Sequence, residues 1–445
     1  MRVQARRMGS VLGALVLAAA SGLIVAGGGP AAAAACASPT TLLDDGTPTS
    51  LRGILESLPG ACDSVELAAG ATYDLTDDAD GEIDVDGPVT IVGNGATIRQ
   101  TDGDDNVMET NDNLTLRNVT ITGGRAAFGD GGGVENNNSS ATLRIEGSTI
   151  TENVVGDGDG GGIDSEGPVV VVNSTISNNV AVDNDGGGIS NDDLLTITGS
   201  TISGNCAEDD GGAIDGNGNT TIVNSTIADN ISDDQGAIAM DNGDLTLVYS
   251  DVVGNTLDDE VTCPRPSVLA VGDPEDPEAA EVDEVDDDVE AQDVDEPSNI
   301  GMNNQTLSSF GSVIARPLIG AGDAFAPFNC LDVGETPPLA NSSGYNFSDD
   351  ATCGFTNTAA GDRESAGDPG LGALANNGGP TQTLLPAVTS PLLNFIPISS
   401  CSGGDALAGF AVTTDQRGIL RPQATGCEVG SVEVEAVLVT ALFTG

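Results

Sequence analysis

The sequence contains no lysine, histidine or tryptophan, and these absences exclude several classes of chemistry. All 13 basic residues are arginine, and aromatic residues make up only 3% of the 445-residue chain. The lack of histidine excludes a Ser-His-Asp triad, histidine acid–base catalysis and histidine-ligated zinc. The lack of lysine excludes a lysine nucleophile. Carboxylates, arginine and tyrosine therefore remain as the groups that can carry a reaction or bind a ligand.

Positive charge is also scarce, because 69 acidic residues leave a formal net charge of −56. A chain this negative repels nucleic acid phosphates and anionic membrane surfaces, so neither is expected as a partner. Cations and basic surfaces are better candidates. The alternative is that the acidic surface only keeps an extracellular protein soluble.

The first 35 residues have the pattern of a secretory signal peptide. Arg2, Arg6 and Arg7 precede the apolar stretch "VLGALVLAAASGLIVA", and "AAAAA" follows as a small-residue cleavage site. This pattern predicts an exported protein that is secreted or associated with the cell surface. The C-terminal stretch "VEVEAVLVTALFTG" is too short to span a bilayer, so no transmembrane segment is expected after cleavage.

The mature chain contains eight cysteines, and an even number in an exported chain predicts disulfides. Eight cysteines allow 105 pairings, so proximity in sequence serves only as a guide. It favours three local pairs, and Cys206–Cys263 is the pair that remains. The three local pairs are Cys36–Cys62, Cys330–Cys353 and Cys401–Cys427.

The centre of the chain contains a repeat with a period of 25 to 29 residues. Motifs such as "EGSTI", "VNSTI" and "TGSTI" each end in an aliphatic residue, and each is followed by a glycine turn such as "GDGGGI". A fixed period in this range is typical of solenoid proteins. The aliphatic positions are Ile121, Ile150, Ile176, Ile202, Ile227 and Val252.

Each repeat is predicted to form one coil of a parallel β-helix, in an all-β fold. The apolar runs are short, rich in β-branched residues and bounded by glycine, asparagine and aspartate. Coils about 4.8 Å apart would place the isoleucines in one internal column and the Ser, Thr and Asn residues in polar ladders. We expect the valines of residues 169–172 to be covered on both faces or nearly so. The glycine turn is expected outside.

The rest of the chain divides around this repeat. The stretch "SLRGILESL" at residues 50–58 predicts a helix capped by Ser50 that covers the first coil. Residues 273–296 carry 14 acidic residues in 24 and predict a disordered insertion. The predicted regions are a signal peptide (1–35), an N-terminal cap (36–88), coils (89–256), the acidic insertion (257–300), the last coils with a disulfide loop (301–366) and a C-terminal region (367–445).

Both flanking regions resemble parts of a known group of proteins. The N-terminal segment "LDDGTPTSLRGILESLPGACDSVELAAGATYDLT" resembles that of bacterial surface proteins with a right-handed parallel β-helix. The segments "DPGLGALANNGGPTQTLLP" and "TTDQRGILRPQATGCEVGSVE" are similar to the choice-of-anchor Q domain that closes such proteins. The resemblance implies a right-handed parallel β-helix that is exported and often attached to the cell surface, and it implies no established activity.

Two functions from different classes fit these features. The first is a rigid exported rod with a structural, adhesive or ligand-binding role, whose partner is an extracellular glycan or a surface protein of a host or neighbouring cell. The alternative is a polysaccharide lyase or hydrolase of the pectin-lyase-like fold that uses carboxylates, such as the adjacent pair Asp209 and Asp210. A lyase also needs an arginine base, for which Arg117 and Arg144 lie near the repeat. The enzyme hypothesis depends on analogy of fold.

Calcium is the ligand that the glycine turns predict. Their aspartates occupy corresponding positions in successive repeats, and like charges stacked about 5 Å apart repel unless they are screened or bridged. Hard oxygen ligands suit Ca²⁺. The alternative is that these charges are simply solvated in exposed turns. The candidate ligands are Asp157, Asp159, Asp183, Asp185, Asp209 and Asp210.

Overall fold

A computed structural model of the chain describes most of the region that follows the predicted signal peptide. The signal peptide itself, at residues 1–35, lies outside the described residues. So does nearly all of the predicted acidic insertion. The described residues are 36–58, 62–76, 81–101, 105–258, 263, 297–303, 305–319, 328–332, 339–355 and 361–434.

The described residues form a β-solenoid of three parallel sheets, as the repeat predicted. The largest sheet contains eighteen strands among the described residues, and each coil contributes two of them or one long bent strand. Its strands are Ser64–Glu66, Thr72–Leu75, Val89–Gln100, Leu114–Thr122, Leu143–Glu146, Thr149–Thr151, Val169–Val172, Thr175–Ser177, Leu195–Thr198, Thr201–Ser203, Thr220–Val223, Thr226–Ala228, Leu245–Val248, Asp251–Val253, Thr306–Phe310, Val313–Ala315, Leu339–Gly344 and Phe347–Ser348.

Two smaller parallel sheets complete each coil. The seven-stranded sheet follows the largest sheet along the chain, and the nine-stranded sheet follows the glycine turn. The seven-stranded sheet contains Arg125–Phe128, Val154–Asp157, Val180–Ala181, Cys206–Ala207, Ile231–Ser232, Thr256–Leu257 and Leu318–Ile319. The nine-stranded sheet contains Ile83–Val85, Met108–Thr110, Val134–Asn136, Ile163–Ser165, Ile189–Asn191, Ile214–Gly216, Ile238–Met240, Pro297–Met302 and Phe328–Asp332.

The isoleucine column that the repeat predicted is confirmed. Ile150 pairs with Ile176, Ile176 with Ile202, and Ile202 with Ile227, so equivalent residues stack from coil to coil. These four side chains are fully buried. Burial of one such side chain contributes about 1.5–3 kcal/mol to folding, so the column holds the coils in register as well as stabilising them.

An asparagine row runs through the turn between the largest sheet and the seven-stranded sheet. Each amide nitrogen donates to the amide oxygen of the next coil, with distances of 2.7–3.0 Å along the row. Serines form a second ladder, in which the Ser148 backbone N–H donates to the Ser174 hydroxyl. The predicted polar ladders are therefore confirmed. The asparagine row comprises Asn153, Asn179, Asn205, Asn230, Asn255, Asn299 and Asn329.

Two details of the predicted coil are wrong. The glycine turn is packed between coils rather than lying outside, because a Cβ atom on Gly162 would sit 2.5 Å from the Gly188 carbonyl oxygen. The valines of Val169–Val172 alternate, so that Val169 and Val171 are buried whereas Val170 and Val172 are only half-buried. The strand therefore has one face toward the apolar interior of the coil and one face toward its exterior.

The solenoid begins inside the predicted N-terminal cap. Strands Ser64–Glu66 and Thr72–Leu75 already pair with Val89–Gln100 within residues 36–88. The predicted helix is present but shorter, at Leu51–Leu55, and the Ser50 hydroxyl accepts from the Gly53 N–H at 3.0 Å as its cap. Leu51, Ile54 and Leu55 join the main apolar core, so the helix packs on the first coil.

The stack continues on both sides of the predicted insertion. Thr256–Leu257 and Pro297–Met302 are strands, and they overlap the two ends of the range 257–300 predicted as an insertion. Ile300 pairs with Ile238, so the coil that follows resumes the same register. Residues 259–262 and 264–296 lie outside the described residues, and their disorder stays a prediction.

The C-terminal region packs against the outer face of the largest sheet. The Ser431 hydroxyl donates to Asp251 at 2.6 Å, and the Gln416 amide donates to Thr201 at 3.0 Å. This region contains two short antiparallel pairs and two short helices, and residues 435–445 lie outside the described residues. The strands are Leu371–Ala375, Thr383–Pro386, Ile396–Pro397 and Gly426–Cys427, and the helices are Ile398–Ser400 and Asp405–Ala408.

Four disulfides join the pairs that sequence proximity favoured. They are Cys36–Cys62, Cys206–Cys263, Cys330–Cys353 and Cys401–Cys427. Disulfides persist in oxidising environments, so this pattern fits an extracellular protein. No helix among the described residues combines the length and apolarity that a bilayer crossing requires.

Candidate cation-binding site

A row of aspartates runs along the turn that connects the seven-stranded sheet to the nine-stranded sheet. Each aspartate precedes a glycine with positive φ, between 63° and 69° at Gly131, Gly160, Gly186 and Gly211. The glycine allows the chain to turn sharply, and the preceding side chain then lies against the neighbouring coil. The carboxylate row is defined by Asp130, Asp159, Asp185 and Asp210.

Hydrogen bonds link the carboxylate row from coil to coil. The Asp159 backbone N–H donates to the Asp130 carboxylate at 3.0 Å, and the Asp210 N–H donates to Asp185 at 2.9 Å. The bond from the Asp185 N–H to Asp159 is longer, at 3.3 Å. Each bond occupies one carboxyl oxygen. The backbone therefore holds the row in place, with the carboxyl groups stacked from coil to coil.

Three of the predicted ligands come together at one end of this row. Oxygen atoms of Asp185, Asp209 and Asp210 lie within 4.8 Å of one another. Asp185 and Asp210 are half-buried, whereas Asp209 is exposed, so the cluster opens to solvent on one side. Calcium takes six to eight oxygen ligands in flexible geometry, and three carboxylates with water molecules meet that requirement.

Burial makes these charges costly. Burial, together with the charges of Asp234 and Asp185, raises the pKa of Asp210 to about 9. Burial also raises the pKa of Asp185 to about 6, although the hydrogen bond from the Asp210 N–H opposes this shift. The pKa of Asp159 is raised for the same first reason. Protons or a cation would relieve the repulsion, because either one neutralises stacked carboxylates.

A second line of carboxylates lies beside the row on the nine-stranded sheet, and the sequence analysis missed it. Glu135 pairs with Asp164, Asp164 with Ser190, and Ser190 with Asp215. Burial raises the pKa of Glu135 to about 7 and holds the pKa of Asp164 well above its usual range. A signal was present, because each residue directly follows the aliphatic residue that ends the glycine turn, as in "GGGVE", "GGGID" and "GGAID".

Asp215 is the most enclosed of these side chains. It is only 5% exposed, and its Oδ1 atom has no hydrogen-bond partner among the described residues. Burial raises its pKa well above the usual range, and the charge of Asp185 is the next largest cause. The Oδ1 atom of Asp210 is also buried without a partner there. Buried polar atoms are nearly always paired, and these two acidic oxygens lack a partner among the described residues.

The other predicted ligands are placed differently. Asp159 lies in the row one coil before Asp185 and is half-buried. Asp157 and Asp183 are exposed and lie outside the cluster of Asp185, Asp209 and Asp210. A second group of acidic oxygens within 4.8 Å, formed by Glu82, Asp84 and Glu109, lies on the first coils. The structure thus brings together half of the six predicted aspartates.

The arginines considered for a lyase do not face the carboxylate row. Arg117 and Arg144 both form ion pairs with Glu146, at 2.7 and 2.5 Å, on the largest sheet. Asp210 and Asp234 stack through a parallel backbone bridge on successive coils. These positions give no arrangement of an arginine base beside the carboxylates, so the enzyme hypothesis gains no support from the geometry.

Comparisons with protein-family models, curated proteins and solved structures found no match to this chain. The parallel β-solenoid is therefore established by the structure alone. The resemblance to choice-of-anchor Q proteins rests on the quoted motifs and stays a prediction.

Proposed function

We propose that this protein is an exported, rod-like β-solenoid that binds calcium along its carboxylate row. The observation that carries the proposal is the cluster of Asp185, Asp209 and Asp210, whose oxygens lie within 4.8 Å of one another. The charge of Asp215 also acts on Asp210 and raises its pKa. The rod would act in a structural, adhesive or ligand-binding role, with an extracellular glycan or a surface protein as its partner.

Calcium suits this site better than the smaller magnesium ion does. The ligands come from turns on two neighbouring coils, and the site needs water to complete its coordination. Ca²⁺ accepts irregular sets of oxygens at 2.3–2.6 Å, whereas Mg²⁺ demands a nearly ideal octahedron at about 2.0–2.1 Å. Because the ion would bridge Asp185 to Asp209 and Asp210 on the next coil, its binding would tie two coils together.

Thermal melting tests the proposal. A ligand that binds only the folded state stabilises it by mass action, by about 2.7 kcal/mol at a concentration 100 times its Kd. At pH 7.5 we expect Ca²⁺ to raise the Tm of the full chain well beyond Mg²⁺ at matched ionic strength. The double variant Asp185→Asn with Asp210→Asn should lose this difference.

A charge-matched control separates binding from simple screening. Asp63→Asn with Glu66→Gln also removes two negative charges, at exposed positions on the first coil. This variant should keep the full difference between calcium and magnesium. The proposal would be refuted if Ca²⁺ acted only like salt on the wild type while the Asp185 and Asp210 variant melted higher than the wild type.

A further inference from the structure

One pocket of the solenoid has the opposite electrostatic character from the carboxylate row. It has a volume of about 510 Å³ and lies where the largest sheet turns into the seven-stranded sheet. Two of its lining residues, Arg99 and Arg125, carry guanidinium groups. Pockets for small ligands usually measure about 300–1,000 Å³, so this one is large enough for a small organic molecule.

Arg125 is distinguished from the other arginines by what its side chain contacts. Seven of the nine arginines in the described part of the chain form ion pairs with carboxylates. Arg363 lies over the Phe395 ring at 3.9 Å. The Arg125 guanidinium has no ion pair, hydrogen bond or aromatic partner among the described residues. In a chain with 69 acidic residues, such a group is available for an anionic ligand.

The register of the seven-stranded sheet places an apolar wall beside this guanidinium. Arg125 pairs with Val154, Val154 with Val180, and Val180 with Cys206 in successive coils. All four residues line the pocket. The arginine therefore stands at one end of a short column of apolar side chains. A ligand bound there would meet a positive charge at one end and apolar surface along its length.

Other lining residues of the pocket supply polar groups. Thr101 and Thr122 bring hydroxyls, and Asn178 brings an amide, all from the ends of strands or turns of the largest sheet. The Thr101 hydroxyl donates to the Leu75 carbonyl at 2.7 Å and can still accept a hydrogen bond. Hydroxyl and amide groups in the same pocket as apolar side chains suit a ring that has C–H faces and hydroxyl edges.

We propose that this pocket binds a polyhydroxy carboxylate, the chemistry of a sugar acid, with the carboxylate on the Arg125 guanidinium. Guanidinium groups bind carboxylates through two parallel hydrogen bonds, which fix the orientation of the ligand. Arg99 contributes less positive charge, because it is already paired with Asp74 at 2.8 Å. The proposal is independent of the carboxylate row, which lies at a different turn of the coil.

Glu152 modulates the site. It lines the same pocket, it is exposed, and it forms no ion pair with the described arginines. Its negative charge opposes an anionic ligand. Removing that charge should therefore tighten binding, whereas removing the charge of Arg125 should weaken it. Screening at 0.15 M salt, where the Debye length is about 8 Å, limits repulsion from the rest of the acidic protein.

Calorimetric titration of the full chain with D-glucuronate, D-glucose and acetate tests the proposal. The buffer contains 0.15 M NaCl and EDTA, so that calcium plays no part. We expect D-glucuronate to bind at least tenfold more tightly than either D-glucose, which lacks the carboxylate, or acetate, which lacks the hydroxyls. An oligomer of glucuronate that binds more tightly than the monomer would identify a polysaccharide as the source, and equal affinity would identify a free sugar acid.

Variants locate the binding at the pocket. Arg125→Gln should weaken D-glucuronate at least tenfold, and Glu152→Gln should strengthen it about twofold to threefold. Arg117→Gln, which removes an exposed arginine outside the pocket, should leave the affinity unchanged. If Arg125→Gln does not fold, the Glu152 variant still decides. The proposal is wrong if D-glucose binds as well as D-glucuronate, or if neither pocket variant changes the affinity.

Discussion

The asparagine row and the carboxylate row both connect neighbouring coils at a turn, but their side chains differ in charge and in hydrogen-bonding groups. Both occur once per coil at a turn, and in both a side-chain oxygen accepts the backbone N–H of a neighbouring coil. An amide also carries a donor, so Asn179 donates to Asn205 at 3.0 Å and to the Ile150 carbonyl at 3.1 Å. A carboxylate is acceptor only and leaves oxygens unpaired, as at Asp210.

This difference indicates that the charge is not needed for the turn itself. An asparagine in the carboxylate row could accept the same backbone N–H without bringing a negative charge beside its neighbours. The acidic turns instead bear raised pKa values from burial and from mutual repulsion. The extra negative charge therefore lowers the stability of the fold unless a cation neutralises it. That asymmetry can be tested by exchanging the chemistry of the two rows.

The largest effect is expected from placing a charge in the asparagine row. Asn205 is fully buried, and its amide nitrogen donates to the Ile176 carbonyl and to Asn230. Asn205→Asp would remove both donations and bury an unpaired charge. We expect the free energy of unfolding to fall by about 3 kcal/mol. Urea unfolding at pH 7.5, without divalent cations, measures it.

The matched control for that variant is the neighbouring turn residue Asn178. It is exposed and has a positive φ of 55°, a conformation that aspartate tolerates. Asn178→Asp should therefore change the free energy of unfolding by less than about 0.5 kcal/mol. Equal losses for the two variants would mean that the asparagine row contributes no more than any other turn.

The next largest effect concerns pH. The folded-state pKa is about 6 for Asp185, about 7 for Glu135 and about 9 for Asp210, against about 4 in an unfolded chain. A carboxyl group whose pKa is raised by folding stabilises the protein at low pH, and this contribution is lost as the pH rises through the folded-state pKa. Without divalent cations, the Tm should therefore be higher at pH 5.5 than at pH 8.5, by on the order of 5 °C.

Two further measurements, one on a variant and one with calcium, distinguish the carboxylate row from other buried acids. Buried acids in the contact with the C-terminal region act with the same sign, because burial also raises the pKa of Asp251 to about 7 and that of Glu428 to about 8. The Asp185→Asn, Asp210→Asn variant should show a smaller dependence on pH than the wild type. Calcium should raise the wild-type Tm more at pH 8.5 than at pH 5.5, because protonated carboxyls do not bind the ion. A Tm that rose with pH would contradict this account.

The coil could be predicted from the sequence because its period sets which residues stack. Once the repeats are aligned, Ile150 must lie next to Ile176 in any parallel stack with one repeat per coil. Burial in the turns could not be predicted in this way. It depends on how closely coils approach at the glycines, and the packing of Gly162 against Gly188 became apparent only in three dimensions. Burial in the turn likewise raises the pKa of Asp185, which precedes Gly186.

The Arg125 pocket could not be predicted from the sequence either. The positive charge in the pocket depends on which arginines pair with carboxylates, and Arg99 pairs with Asp74 from 25 residues earlier in the chain. Arg117 and Arg144 lie near the repeat in sequence, yet both are paired with Glu146. Periodicity identifies positions that recur. It does not identify a position, such as Arg125, where one coil departs from its neighbours.

A moderate effect is expected from making the carboxylate row resemble the asparagine row at one position. Asp210→Asn removes a carboxyl group whose pKa is raised to about 9 by burial and by the charges of Asp234 and Asp185, and its side-chain oxygen can still accept from Gln235. Without calcium at pH 8, this variant should be more stable than the wild type by about 0.5–1 kcal/mol. With saturating calcium the order should reverse. A variant that is less stable in both conditions would show that the carboxylate is needed for the turn after all.

The smallest effect should come from Asp157, one of the six aspartates that the sequence predicted as calcium ligands. Its side chain is exposed, and it lies outside the cluster formed by Asp185, Asp209 and Asp210. Asp157→Asn should therefore change the free energy of unfolding by less than about 0.5 kcal/mol. The rise in Tm with calcium should stay at its wild-type value, as measured by the same melting experiment. If this exposed substitution removed the calcium response as completely as Asp185→Asn with Asp210→Asn does, the ion would be bound by the diffuse charge of the surface. The proposal that Asp185, Asp209 and Asp210 form a defined calcium site would then be wrong.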